Sequence, residues 1–94
     1  MQDERADIED WIKQLLGSEL KVSPLVIATA SSSTPLLGGA VGLDSVETMA
    51  LVIRIEEEFG ISMSDSDMTE TPFETIGSLA GYIAQKRSQQ AAKP

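Results

Sequence analysis

The chain has 94 residues, of which 41% are hydrophobic, and its net charge at pH 7 is −8. This length predicts a single domain that covers residues 1–94. The chain contains no cysteine and no histidine, so it lacks disulfides, thiolate metal sites and the usual nucleophile and general base of enzymes. We therefore expect no catalytic residue and no metal site.

The negative charge is concentrated between residues 44 and 70, which hold eight acidic residues and one basic residue. Such a field repels nucleic acids and anionic membranes and attracts basic protein surfaces. No apolar run approaches the roughly 20 residues that span a bilayer, and the first residues lack a hydrophobic signal core. These features predict a cytoplasmic monomer that binds neither nucleic acid nor membrane.

The first predicted element is a helix over residues 4–20, in which apolar side chains recur from Ile8 to Leu16 at the spacing of one helix face. Trp11 shares this spacing and is assigned to the core. Residues 21–43 then form a long connection, rich in serine near its middle. Since long structureless loops are uncommon in compact domains, this loop is a candidate functional segment.

Residues 45–59 predict the second helix. Asp44 is a favourable N-cap, and Glu47, three residues on, completes a capping box. Ser45 then takes the first helical position, where the helix dipole and unpaired N–H groups stabilise an attached anion. Gly60 stands where a glycine commonly ends a helix.

Two faces are predicted for this second helix. The face assigned to the core carries Val46, Met49, Val52, Ile53, Ile55 and Phe59. The face assigned to solvent carries Glu47, Leu51, Arg54 and Glu58, with Glu57 flanking it. Three glutamates lie at the C-terminal end of the helix, where the helix dipole makes negative charge mildly unfavourable. Such an unfavourable arrangement with no local compensation indicates that the charge has a functional role.

The C-terminal part predicts a short helix at 65–70, a longer one at 75–87 and a flexible tail at 88–94. Amphipathic helices of this size cannot bury their apolar faces separately. The predicted fold is therefore all-α, a small four-helix bundle with three longer helices, one short helix and a long loop between helices 1 and 2.

Residues 42–46, Gly-Leu-Asp-Ser-Val, followed by residues 56–61, Glu-Glu-Glu-Phe-Gly-Ile, resemble the acyl carrier protein family. The resemblance extends over roughly residues 5–86, with its specific core at 42–61. It implies that Ser45, in a motif with Asp44, carries 4′-phosphopantetheine. Acyl intermediates would then travel on this arm as thioesters in fatty-acid, lipid or polyketide-type biosynthesis.

This sequence departs from the family pattern at two positions. The family usually has leucine after the serine, where Val46 stands here, and Arg54 adds a positive charge to the acidic helix. These departures favour a specialised carrier.

The resemblance also implies partners, namely a phosphopantetheinyl transferase and acyl-transferring and acyl-modifying enzymes with basic docking patches. The predicted docking residues are Glu47, Leu51, Arg54, Glu57 and Glu58. A further set is predicted to line a cleft that shelters the acyl chain, with an ordinary packed core as the alternative: Met49, Ile53, Met63, Met68 and Ile76.

Two other functions stay open. One is a carrier of aminoacyl or peptidyl groups in nonribosomal synthesis, although the acidity of the second helix favours acyl cargo. The other is an unmodified helical module that binds a partner through its acidic face. The intact Asp44-Ser45 pair argues against this module, because an unmodified protein does not need that serine.

Overall fold

The computed structural model describes residues 4–39, 41–63 and 73–91. This part of the chain contains four helices, and they are α1 (Glu4–Ser18), α2 (Pro24–Thr29), α3 (Ser45–Phe59) and α4 (Ile76–Ala91). It contains no strand, apart from an isolated antiparallel bridge between Pro35 and Thr75. The prediction of an all-α fold is confirmed. Within the same residues, no helix has the length and apolar character needed to cross a membrane.

Helix α2 lies inside the long connection, where the sequence predicted no helix. Its N-cap is Ser23, whose hydroxyl accepts a hydrogen bond from Leu25 N at 3.3 Å, and Pro24 occupies its first turn. Serine followed by proline is a common way to begin a helix. With six residues, α2 is too short for the apolar periodicity on which the prediction relied.

Helix α4 continues to Ala91, so residues 88–91, beyond the predicted end of this helix at residue 87, are helical. These residues lack an apolar repeat, but their glutamines and alanine have good helix propensity. The helix predicted at 65–70 lies outside the described residues. The fourth helix of the described chain is therefore α2 and not the predicted short one.

The core lies between α1, α3 and α4 and is closed by apolar side chains from the connections. Helix α1 packs mainly on α4, and the two run antiparallel, as the ion pair between Glu4 and Arg87 shows at 3.0 Å. Each fully buried aliphatic side chain stabilises the fold by about 1.5–3 kcal/mol. The buried residues are Ile8, Ile12, Leu15, Leu16, Leu36, Leu43, Leu51, Val52, Ile55, Ile61, Met63, Phe73, Ile76, Leu79, Ala80 and Ile83.

Hydrogen bonds fasten the loop before α3 to the start of α4. The backbone N–H groups of Ile76 and Gly77 donate to the carbonyls of Thr34 (3.0 Å) and Ser32 (2.8 Å). These N–H groups belong to the first helical turn, which has no partners within its own helix. The Ser32 hydroxyl also donates to the Glu9 carboxylate at 2.8 Å, so the loop is held to α1 as well.

The close approach of Ser32 to α4 predicts opposite effects for two glycine substitutions. A Cβ added at Gly77 would lie 2.8 Å from the Ser32 carbonyl oxygen, so Gly77→Ala should lower the free energy of unfolding by roughly 1–3 kcal/mol. At Gly81 the nearest atom belongs to the flexible Arg5 side chain, at 3.5 Å. Gly81→Ala should therefore stabilise the protein by up to about 1 kcal/mol through helix propensity. Urea unfolding followed by circular dichroism measures both, and equal effects would contradict the packing described.

Candidate functional site

A capping box defines the start of α3. The Asp44 carboxylate accepts a hydrogen bond from Glu47 N at 2.7 Å, and the Glu47 carboxylate accepts one from Asp44 N at 3.1 Å. The predicted capping box is confirmed. Just before it, the buried Leu43 donates its N–H to the carbonyl of Leu36 at 2.9 Å. The burial and hydrogen bond of Leu43 thus fix the position of the next residue, Asp44, beside the core.

Ser45 is the first residue of α3, and its side chain is exposed. No hydrogen bond involves its hydroxyl within the described part of the chain. The adjacent Asp44 carboxylate is directed to Glu47 N. The hydroxyl is therefore available to an external reactant at the positive end of the helix dipole.

The rotation of α3 about its axis differs from the predicted one. Leu51 is 0% exposed, and Val52 and Ile55 are buried beside it. The prediction that Leu51 lies on the exposed face is therefore wrong, and Leu51 does not belong to a docking surface in this structure. Apolar residues at helical spacing lie on two sides of α3, and the sequence pattern alone does not tell which side meets α1 and α4.

The opposite apolar side of α3 faces solvent. Val46 is 75% exposed, Met49 48% and Ile53 51%. We call these three residues the apolar stripe. The predicted assignment of these three residues to the core is therefore wrong. These residues are spaced by three and four positions, beginning directly after Ser45. This spacing shows from the sequence that they share one face of the helix, but not that the face is exposed.

The four predicted cleft residues that the structure describes do not lie together in one place. Met49 and Ile53 lie in the apolar stripe on the outer surface, so they do not line an interior cleft. Met63 and Ile76 are buried in the core, and Met68 lies outside the described residues. For Met63 and Ile76, this arrangement favours the alternative prediction, an ordinary packed core.

Arg54 is paired with acidic side chains on both sides. Its guanidinium donates to Glu57 of the same helix at 3.0 Å and to Glu19 beyond the end of α1 at 3.1 Å. The hydrogen bonds to Glu57 and then to Glu19 raise the pKa of Arg54, and an arginine is charged at physiological pH even without such partners. The positive charge on the acidic helix is therefore matched locally.

The remaining predicted docking residues lie apart from one another. Glu47 belongs to the capping box, next to Ser45. Glu57 forms an ion pair with Arg54. Glu58 is exposed near the other end of the helix, where it lines a pocket with Trp11 and Phe59. These acids of α3 are thus spread along the helix and do not form one cluster.

A family model described as "Phosphopantetheine attachment site" matches residues 10–83. The matched range begins within α1, contains the whole of α3 with Ser45, and ends within α4. It confirms the family resemblance that rests on residues 42–61.

Proposed function

The chain belongs to the phosphopantetheine attachment site family, and from this premise we propose that it carries acyl groups on an arm attached to Ser45. Domains of this family are carriers, and their cofactor is covalently attached 4′-phosphopantetheine. The observation that carries the proposal is the exposed hydroxyl of Ser45 at the capped start of α3.

The start of α3 fits such a group. The Ser45 hydroxyl is exposed and makes no hydrogen bond within the described residues. Unpaired N–H groups and the helix dipole at this position stabilise the negative charge of a phosphodiester. When bound, the arm supplies a terminal thiol that holds an acyl group as a thioester. The chain itself has no cysteine, so no thiol of the protein competes with that of the arm.

The surface next to Ser45 supports docking of partner enzymes. The apolar stripe offers side chains that gain free energy when a partner covers them, and the glutamates of α3 add negative charge to the same helix. A fitting partner therefore presents a basic patch with an apolar centre, as we propose for a phosphopantetheinyl transferase and for acyl-processing enzymes. Exposed charges mainly speed encounter and fix orientation, which suits a carrier that must leave each enzyme after use.

We propose an acyl cargo in preference to an aminoacyl or peptidyl cargo because α3 is acidic. Fatty-acid, lipid and polyketide-type biosynthesis all fit this proposal equally. An unmodified interaction module has weaker support, since it would have no need for an exposed serine directly after the N-cap residue Asp44.

The proposal is tested by intact mass spectrometry before and after incubation with coenzyme A, Mg²⁺ and a broad-specificity phosphopantetheinyl transferase. We expect one phosphopantetheine adduct per chain, absent in Ser45→Ala and retained in Ser33→Ala, which alters another exposed serine. An adduct on Ser45→Ala would place the attachment elsewhere. No adduct with several transferases, in protein that is folded by circular dichroism, would favour the unmodified module.

The apolar stripe predicts a loss of modification rate without loss of stability. Met49→Ser and Ile53→Ser replace half-exposed side chains, so the free energy of unfolding should change by less than about 1 kcal/mol. The rate of adduct formation at limiting transferase should fall roughly tenfold, because about 1.4 kcal/mol of docking energy corresponds to that factor. Leu25→Ser, which alters an exposed apolar residue on α2, is the matched control. Equal rates for all three variants would remove the stripe from the docking surface.

A further inference from the structure

A pocket of about 530 Å³ lies at the end of α3 that is remote from Ser45. The length of α3 separates the two by roughly 20 Å along the helix axis. We call it the aromatic pocket, and the residues that line it come from α1, α3 and α4: Glu4, Asp7, Ile8, Trp11, Glu58, Phe59 and Arg87. The carrier function proposed above uses none of its aromatic side chains.

Two aromatic rings form one wall of the aromatic pocket. Trp11 and Phe59 meet edge to face, with ring centroids 5.0 Å apart and an interplanar angle of 74°. Both are partly buried against the core, so the rings are held in place by packing. Aromatic rings attract cations, tryptophan most strongly, and arginine is the commonest partner.

The aromatic pocket already holds one guanidinium, from the chain's own Arg87. Its guanidinium carbon lies 5.4 Å from the centroid of the Phe59 ring, within the range of a cation–π contact. It also donates to the Glu4 carboxylate at 3.0 Å. The aromatic pocket therefore has the chemistry that receives an arginine side chain.

One carboxylate of the aromatic pocket, that of Glu58, has no partner among the described residues. It is one of three carboxylates that line the pocket beside Arg87, and it makes no ion pair or hydrogen bond within the described part of the chain. The side chain of Arg87 is 46% exposed. Since an exposed ion pair contributes little to stability, Arg87 can exchange its place with another guanidinium at low cost.

We propose that the aromatic pocket receives an arginine side chain from a basic partner protein, which replaces Arg87 over Phe59 and pairs with Glu4 and Glu58. The net charge of −8 attracts a basic partner and repels a second copy of this chain. The proposal rests on the contacts of the aromatic pocket and holds whether or not Ser45 is modified.

The chain's single tryptophan reports directly on the aromatic pocket. The full-length protein is titrated at low salt with a capped synthetic peptide, Ala-Arg-Leu-Arg-Ala, and with a control peptide that has glutamine in place of both arginines. We expect a saturable change in Trp11 emission with the arginine peptide alone. Ser45→Ala should bind this peptide like the parent protein, which separates the result from the question of modification.

Three variants locate the binding. Glu58→Gln should weaken the peptide's affinity roughly fivefold, the scale of one lost charge contact. Arg87→Gln should strengthen it, because the internal competitor is removed. Glu74→Gln removes the same charge from an exposed position outside the aromatic pocket and should change the affinity by less than about twofold.

Several results would overturn the proposal. Equal effects of Glu58→Gln and Glu74→Gln would reduce the binding to the general negative field. An unchanged or weakened affinity in Arg87→Gln would exclude the exchange with Arg87. Shifts of backbone amide resonances confined to the start of α3, with none at the Trp11 indole, would place the peptide on the apolar stripe instead.

Discussion

The burial of Leu51, Val52 and Ile55 fixes the rotation of α3 about its axis, and the exposed surface of the protein depends on that rotation. The helix carries apolar side chains on two sides, and the core between α1 and α4 accepts one of them. Each buried side chain contributes about 1.5–3 kcal/mol, so the other side is left to solvent. The apolar stripe that results begins at the residue after Ser45, where a partner that modifies this serine must approach.

The position of Ser45 follows from contacts on both sides of it. On the loop side, hydrogen bonds tie Ser32 and Thr34 to the first turn of α4, and Leu36 binds the N–H of Leu43. On the helix side, the capping box of Asp44 sets the first helical residue. The proposed carrier needs its attachment point exposed but fixed relative to the proposed docking surface, and this arrangement would supply both at Ser45. The aromatic pocket at the far end of α3 gives a partner a second point of contact.

Features encoded in neighbouring residues were predicted from the sequence, and features that depend on distant packing were not. Asp44 and Glu47 form their capping box within one helical turn, and Gly60 ends α3 in the left-handed conformation, with φ 64°. The family motif around Ser45 is equally local. In contrast, the exposure of Ile53 depends on the positions of α1 and α4. The periodicity of apolar residues in α3 does not specify those positions. Helix α2 was missed because Ser23 and Pro24 were its main signal and its length shows no repeat.

The unfolding free energies of Leu51→Ala and Ile53→Ala test the rotation of α3 most directly. Both substitutions shorten an aliphatic side chain within the same turn of the helix, but the first side chain is 0% and the second 51% exposed. The structure predicts that Leu51→Ala costs about 2–5 kcal/mol, whereas Ile53→Ala changes stability by less than about 0.5 kcal/mol. A larger cost for Ile53→Ala would show that the apolar stripe is buried in the core and would contradict the proposed docking surface beside Ser45.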